Sequence, residues 1–293
     1  MDRRINNLKY LGAKYGTNFD KDANLSDLGV VDKILVSQNL DLDINKYIDD
    51  IDTSHEMTGK PNEFDFFVDI DDTICSTVFS WYDGIINILG NNYIFYNGIR
   101  EFLLFLLKIG NSRIIFYSSG NPERNKLLVK KLVEIYNLEF AADRISIYNT
   151  IIMTCCVDPN HKPDENLIND GQGNKKKQIK GACRDINNSV LIDDDRSFCL
   201  KGEEFNFIKI QECIDYKNWH SMTNENSIFR VAGLIYLYFI SNEKDLVKFM
   251  ELVLANDVSS CQPLYYNLGL KILREINPSL DIKFTEVRTP RRN

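Results

Sequence analysis

Short apolar runs that end in polar clusters alternate with amphipathic stretches through the middle of this chain. Residues 64–68, Phe-Asp-Phe-Phe-Val, have strand propensity and stop abruptly at Asp69, Asp71 and Asp72, followed by Thr73. A buried parallel strand has this appearance where its carboxyl end opens into the ligand crevice of an open α/β sheet. After about two dozen residues of mixed character, residues 99–108 carry Phe102, Leu103, Phe105, Leu106 and Leu107 at helical spacing. Residues 113–117, Arg-Ile-Ile-Phe-Tyr, predict a second buried strand that ends in Ser118, Ser119 and Gly120. Asn121 is a helix cap and Pro122 suits a first turn, so a helix follows to about residue 137. Strand, helix, strand, helix is a right-handed crossover unit of a parallel sheet.

Residues 144–150 predict a further strand, residues 189–192 another that ends in Asp193, Asp194 and Asp195, and residues 205–210 a last short one. Between them, residues 154–174 hold Pro159, Pro163, Gly171 and Gly173 and read as a surface insertion. Lys175, Lys176, Lys177 and Lys180 predict the start of another helix.

The flanks differ from this core. Residues 1–60 form a helical extension, with Ser26 as a cap and a second amphipathic stretch over residues 42–51. Residues 61–221 make the α/β core. From residue 222 onward only helices are predicted, over residues 229–240, 243–254 and 264–276, as a helical lid or a small second domain that closes in a basic tail at Arg288, Arg291 and Arg292. The acids from Asp41 to Asp52 lack the glycine and terminal glutamate of a Ca²⁺ loop, and they read as a solvated helix face.

A net charge of -7 argues against a general nucleic-acid binder, which needs a dominant basic face. Seven cysteines in irregular spacing fit free thiols better than a disulfide framework, and the spacing of Cys155, Cys156 and His161 is not that of a four-ligand zinc site. The amino terminus has no apolar signal core and the longest apolar stretch, residues 232–240, is far short of a membrane span, so a cytoplasmic protein is expected.

Asp69 and Asp71, Ser118, Lys177, and Asp193 with Asp194 lie at strand ends or just before a strand, and in a parallel sheet such ends share one edge. The order resembles that of the haloacid dehalogenase superfamily of aspartyl phosphotransferases: Asp-x-Asp-x-Thr after the first strand, Ser or Thr after the second, a Lys, then an acidic pair. The segment from Lys177 through Arg184 and Asp185 to Asp194 is further similar to the capless carboxy-terminal-domain phosphatase branch, as is Tyr96-Asn-Gly-Ile-Arg-Glu-Phe-Leu. The resemblance covers about residues 62–212.

It implies a Rossmann-like α/β fold and a phosphatase that works through a phosphoaspartate. Asp69 would be the nucleophile and Asp71 the general acid and base. Mg²⁺ would be held by Asp69, the Asp71 carbonyl and Asp194 or Asp193. Lys177 would balance the charge, with Lys176 and Lys180 as competitors; Ser118, rather than Ser119, would hold phosphoryl oxygens, and Thr73 would brace the loop. The absence of a large cap insertion implies a bulky substrate, a phosphorylated tyrosine, serine or threonine of a protein. The composition and appended helices also suit a phosphatase delivered into a host cell by an intracellular bacterium. The alternative reading is a catalytically silent scaffold that binds protein or anionic lipid through the carboxyl-terminal helices and the basic tail.

Overall fold

The computed structural model describes residues 61, 63–77, 85–149, 167–169, 175–210, 228–240, 243–254 and 262–280. The amino-terminal extension, the Cys155, Cys156 and His161 cluster and the basic tail lie outside these residues. A five-stranded sheet forms the centre, in the order β10 (Phe207–Lys209), β9 (Ser189–Asp193), β1 (Glu63–Val68), β5 (Asn111–Ser118) and β6 (Ile145–Asn149). Every pairing in it is parallel, so the fold is the Rossmann-like α/β arrangement expected.

Side-chain alternation builds both faces. Phe64, Phe66 and Val68 of β1, Ile114 and Phe116 of β5, and Val190 and Ile192 of β9 enter the larger core. Phe67, Ile115, Tyr117 and Leu191 enter the smaller one on the opposite face. The large face is covered by α1 (Ile99–Lys108), α2 (Pro122–Tyr136) and the carboxyl-terminal helices α3 (Ile228–Ile240), α4 (Leu246–Leu254) and α5 (Gln262–Ile276). Asn121 caps α2 by accepting from the Arg124 amide at 3.0 Å, and Pro122 opens the helix, as the sequence predicts.

The stretch between Thr73 and Ile99 is more ordered than its mixed pattern suggests. It contains β2 (Cys75–Thr77), β3 (Ile86–Ile88) and β4 (Asn91–Phe95), an antiparallel sheet in the order β2-β4-β3 beside the carboxyl end of β1.

The lysine run is not a helix. β8 (Lys175–Lys177) pairs antiparallel with β7 (Leu167–Asn169), so a stretch of good helix formers is overridden by pairing with part of the segment read as a surface insertion. Strand alternation then turns Lys176 outward, to the Ser197 carbonyl, and Lys177 inward.

The carboxyl-terminal helices share the sheet's main core. Phe64 of β1 meets the rings of Tyr238 and Phe239 edge-on at 6.0 and 5.3 Å, and Asn277 reaches Glu101 of α1 at 2.8 Å. α3 and α5 cross at two glycines. A Cβ on Gly233 would lie 2.0 Å from the Tyr265 carbonyl oxygen, and one on Gly269 1.7 Å from that of Phe229, so only glycine permits this approach.

Candidate active site

β1 ends at Val68, and Asp69 sits where the ladder hands over to a loop, its amide donating to the Ile192 carbonyl at 2.9 Å. The strand ends at Val68, so Asp69 and Asp71 are not two positions of one strand: a tight loop follows, in which Asp71 bridges to Cys75 and Asp72 takes a left-handed backbone with φ 57°.

Asp69 is 6% exposed and accepts from Lys177 Nζ at 2.5 Å. The same ammonium donates to Asp193 at 2.6 Å, from the end of β9. Lys177 is 1% exposed and lies over the rings of Phe198 and Tyr117, 4.6 and 5.6 Å from their centroids. The backbone that delivers it is pinned by the buried acid Glu203, which accepts from the amides of Ile179 and Lys180. Lys176 and the exposed Lys180 are thereby separated from the role that Lys177 fills.

Thr73, fully buried, donates its hydroxyl to Asp194 at 3.2 Å and ties the β1 loop to the end of β9. Ser118 closes β5 with 1% exposure; its hydroxyl accepts the Gly120 amide at 3.1 Å and shapes the turn that leads into α2. Asp195 caps a short turn by accepting the Ser197 amide.

Carboxylate oxygens of Asp69, Asp193 and Asp194 all lie within 4.8 Å of one another. Burial pushes the Asp69 carboxyl well up, Lys177 pulling it down and Asp193 adding to the rise. Burial also raises Asp194 to about 7, with the Asp193 charge next in weight. Lys177 moves upward as well: burial works against its charge, and Asp69 and Asp193 outweigh it. Crowded oxygen donors of this kind fit a hard divalent cation such as Mg²⁺, whose charge would offset their mutual repulsion.

The Asp71 carboxylate stands outside that cluster. Arg124, in the first turn of α2, grips both of its oxygens, one contact being 2.6 Å. Sequence reasoning missed Arg124. Its signal is its position, because a cation is unfavourable at the positive end of a helix dipole unless a specific anion faces it. Arg184, part of the segment that carries the family resemblance, is not at the site. Its side chain and amide join Arg113 on the buried Asp65, at the other end of β1.

No protein-family model and no curated protein sequence matches the chain. Solved structures do. The chain is similar to the RNA polymerase II CTD phosphatase Fcp1. A fission yeast Fcp1 variant bound to beryllium fluoride is 17% identical, with 69% of this chain and 53% of that one covered and a TM-score of 0.32. A second structure, of Fcp1 described as an essential RNA polymerase II CTD phosphatase, is also 17% identical, with 79% and 65% covered and a TM-score of 0.34. The chain spans about half the length of the first of these. The strand order and site geometry above stand independently of this likeness.

Proposed function

We propose that the protein is a Mg²⁺-dependent phosphatase of the haloacid dehalogenase type that hydrolyses phosphate monoesters through a phosphoaspartate on Asp69. The observation that carries this reading is the buried Asp69–Lys177–Asp193 chain next to Asp194, built from three separate segments at one sheet edge. A structural ion pair needs neither a second carboxylate at its ammonium nor a third beside them, and such crowding at the carboxyl ends of parallel strands marks a reaction site.

An Asp69 oxygen attacks phosphorus while the ester P–O bond breaks, and Asp71 gives a proton to the leaving oxygen. Asp71 then takes a proton from the water that attacks the phosphoaspartate, which releases phosphate and restores Asp69. Lys177 keeps positive charge on the nucleophile throughout. Ser118 and the amides of the turn before α2 face the remaining phosphoryl oxygens, at the positive end of a helix. Mg²⁺ on Asp69, Asp194 and the Asp71 carbonyl would neutralise phosphoryl charge; Asp193 already accepts from Lys177 and from the Asp195 amide.

The substrate we propose is a phosphorylated protein side chain. Among the described residues, only the small β2-β4-β3 sheet stands between Thr73 and α1, and the Asp71 side chain is 44% exposed. Such a mouth admits a bulky group. Among the described residues no helix is long and apolar enough to cross a membrane. Residence in a cytoplasm, the protein's own or that of a host cell, belongs to the same proposal and rests on composition.

Hydrolysis of p-nitrophenyl phosphate by the full chain is the test. Activity is expected with Mg²⁺, with a fall on the order of a thousandfold after chelation or in Asp69→Asn. Equal rates in wild type, chelated protein and variant would overturn the reading.

A further inference from the structure

Arg124 is bound more tightly into the site than a solvent-facing helix residue would be. Its side chain is 12% exposed, although its partner Asp71 is 44% exposed. Tyr93 of β4 lies under it, the guanidinium carbon 5.7 Å from the ring centroid. A Cβ on Gly120 would sit 1.9 Å from the Arg124 terminal nitrogen and 3.3 Å from an Asp71 oxygen. The guanidinium therefore lies directly over the turn that runs from Ser118 to the cap of α2, in space that the missing Gly120 side chain leaves open.

Two consequences follow from this placement. Both Asp71 oxygens accept from Arg124, so while the pair is closed the acid is held as a carboxylate and has no proton for a leaving group. A phosphate dianion, for its part, enters a site where Asp69, Asp71, Asp193 and Asp194 outweigh Lys177 and one divalent ion. It needs a further cation, and a planar fork matches two phosphoryl oxygens as well as it matches a carboxylate.

We propose that Arg124 is an exchangeable phosphate ligand: it closes on Asp71 when no phosphate is bound and transfers to the phosphoryl oxygens when one arrives, releasing the Asp71 carboxylate to take a proton from solvent water and pass it to the leaving oxygen. This deepens the phosphatase reading and rests on the same site. It makes substrate binding and the freeing of the acid one event, with Gly120 as the position that lets the guanidinium reach both partners.

Isothermal titration of inorganic phosphate into the full chain with Mg²⁺ tests the proposal without requiring turnover. Arg124→Ala is expected to weaken phosphate binding by a factor of about ten or more, and Arg124→Lys by less, since it keeps charge and loses the fork. Gly120→Ala fits its backbone, and the atom it meets is the far end of a flexible side chain, so it should fold, displace the guanidinium and match Arg124→Ala. In the double variant Gly120→Ala should add nothing. Thermal melts of each variant exclude loss of fold. Unchanged phosphate affinity in folded Arg124→Ala, or a Gly120→Ala effect that persists without Arg124, would overturn the proposal. Arg124-dependent phosphate binding without hydrolysis of p-nitrophenyl phosphate by the wild type would uphold it and reject the phosphatase reading.

Discussion

An ammonium ion can be buried only where hydrogen-bonding anions meet it, and Lys177 meets Asp69 and Asp193. The acids around it are held in turn against their solvation, which is why Asp194 rises to about 7. The sign of the pH dependence follows. A carboxyl whose folded pKa is raised stabilises the fold below its unfolded value, and that contribution is lost as pH rises through the folded one. Without divalent ions the melting temperature should therefore fall between about pH 5 and about pH 8, and Mg²⁺ should raise it more at the upper end. Thermal melts with and without Mg²⁺ check this, and Asp194→Asn should flatten the difference. Asp69, Ser118 and Asp194 were legible in the sequence because each ends an apolar run. Arg124 was not, because its place in the first turn of a helix hints at a facing anion but cannot say which, and its partner is 53 residues away.

At the scale of elements, β1 is anchored at both ends. Beyond its carboxyl end lies Asp69; near its amino end Asp65, 1% exposed, accepts from Arg113 and from the amide and side chain of Arg184. Burial alone would raise the Asp65 carboxyl, and the hydrogen bonds from Arg113 and Arg184 outweigh it and hold it below the ordinary carboxylate range. Asp65→Asn leaves two cations facing a neutral amide and should cost about 3–5 kcal/mol in urea unfolding. This contribution is present above the ordinary carboxylate pKa and lost as pH falls through the lowered one, so the gap between variant and wild type should close below about pH 4. The lysine run shows what a local pattern leaves open. Lys175 to Lys177 has helical propensity, and its fate as β8 depends on β7, which is itself a strand only by virtue of the pair. The β2-β4-β3 sheet was invisible for a similar reason: its strands are short, and in β4 only Tyr93 is buried.

For the whole molecule, the carboxyl-terminal helices are part of the fold's main core. α3 is apolar on nearly every side because it lies between the sheet, α1 and α5, and it closes on α5 through Gly233 and Gly269. A chain ended at residue 221 would expose Phe64 and the α1 face, so it should bind hydrophobic dyes and show a non-cooperative urea transition, whereas the full chain should unfold cooperatively. The amino-acid sequence by itself determined the parallel α/β sheet, the alternation of its main strands with α1 and α2, and the acids and serine that stand where its apolar runs stop. Those follow from periodicity and from where apolar runs stop, which are local properties. Tertiary structure alone decided which lysine turns inward, that Arg124 holds Asp71, that Arg184 serves Asp65 rather than the site, and that the last helices join the core. Each of these is a contact between segments far apart in the chain, and its energy depends on burial and distance that no short stretch of residues encodes.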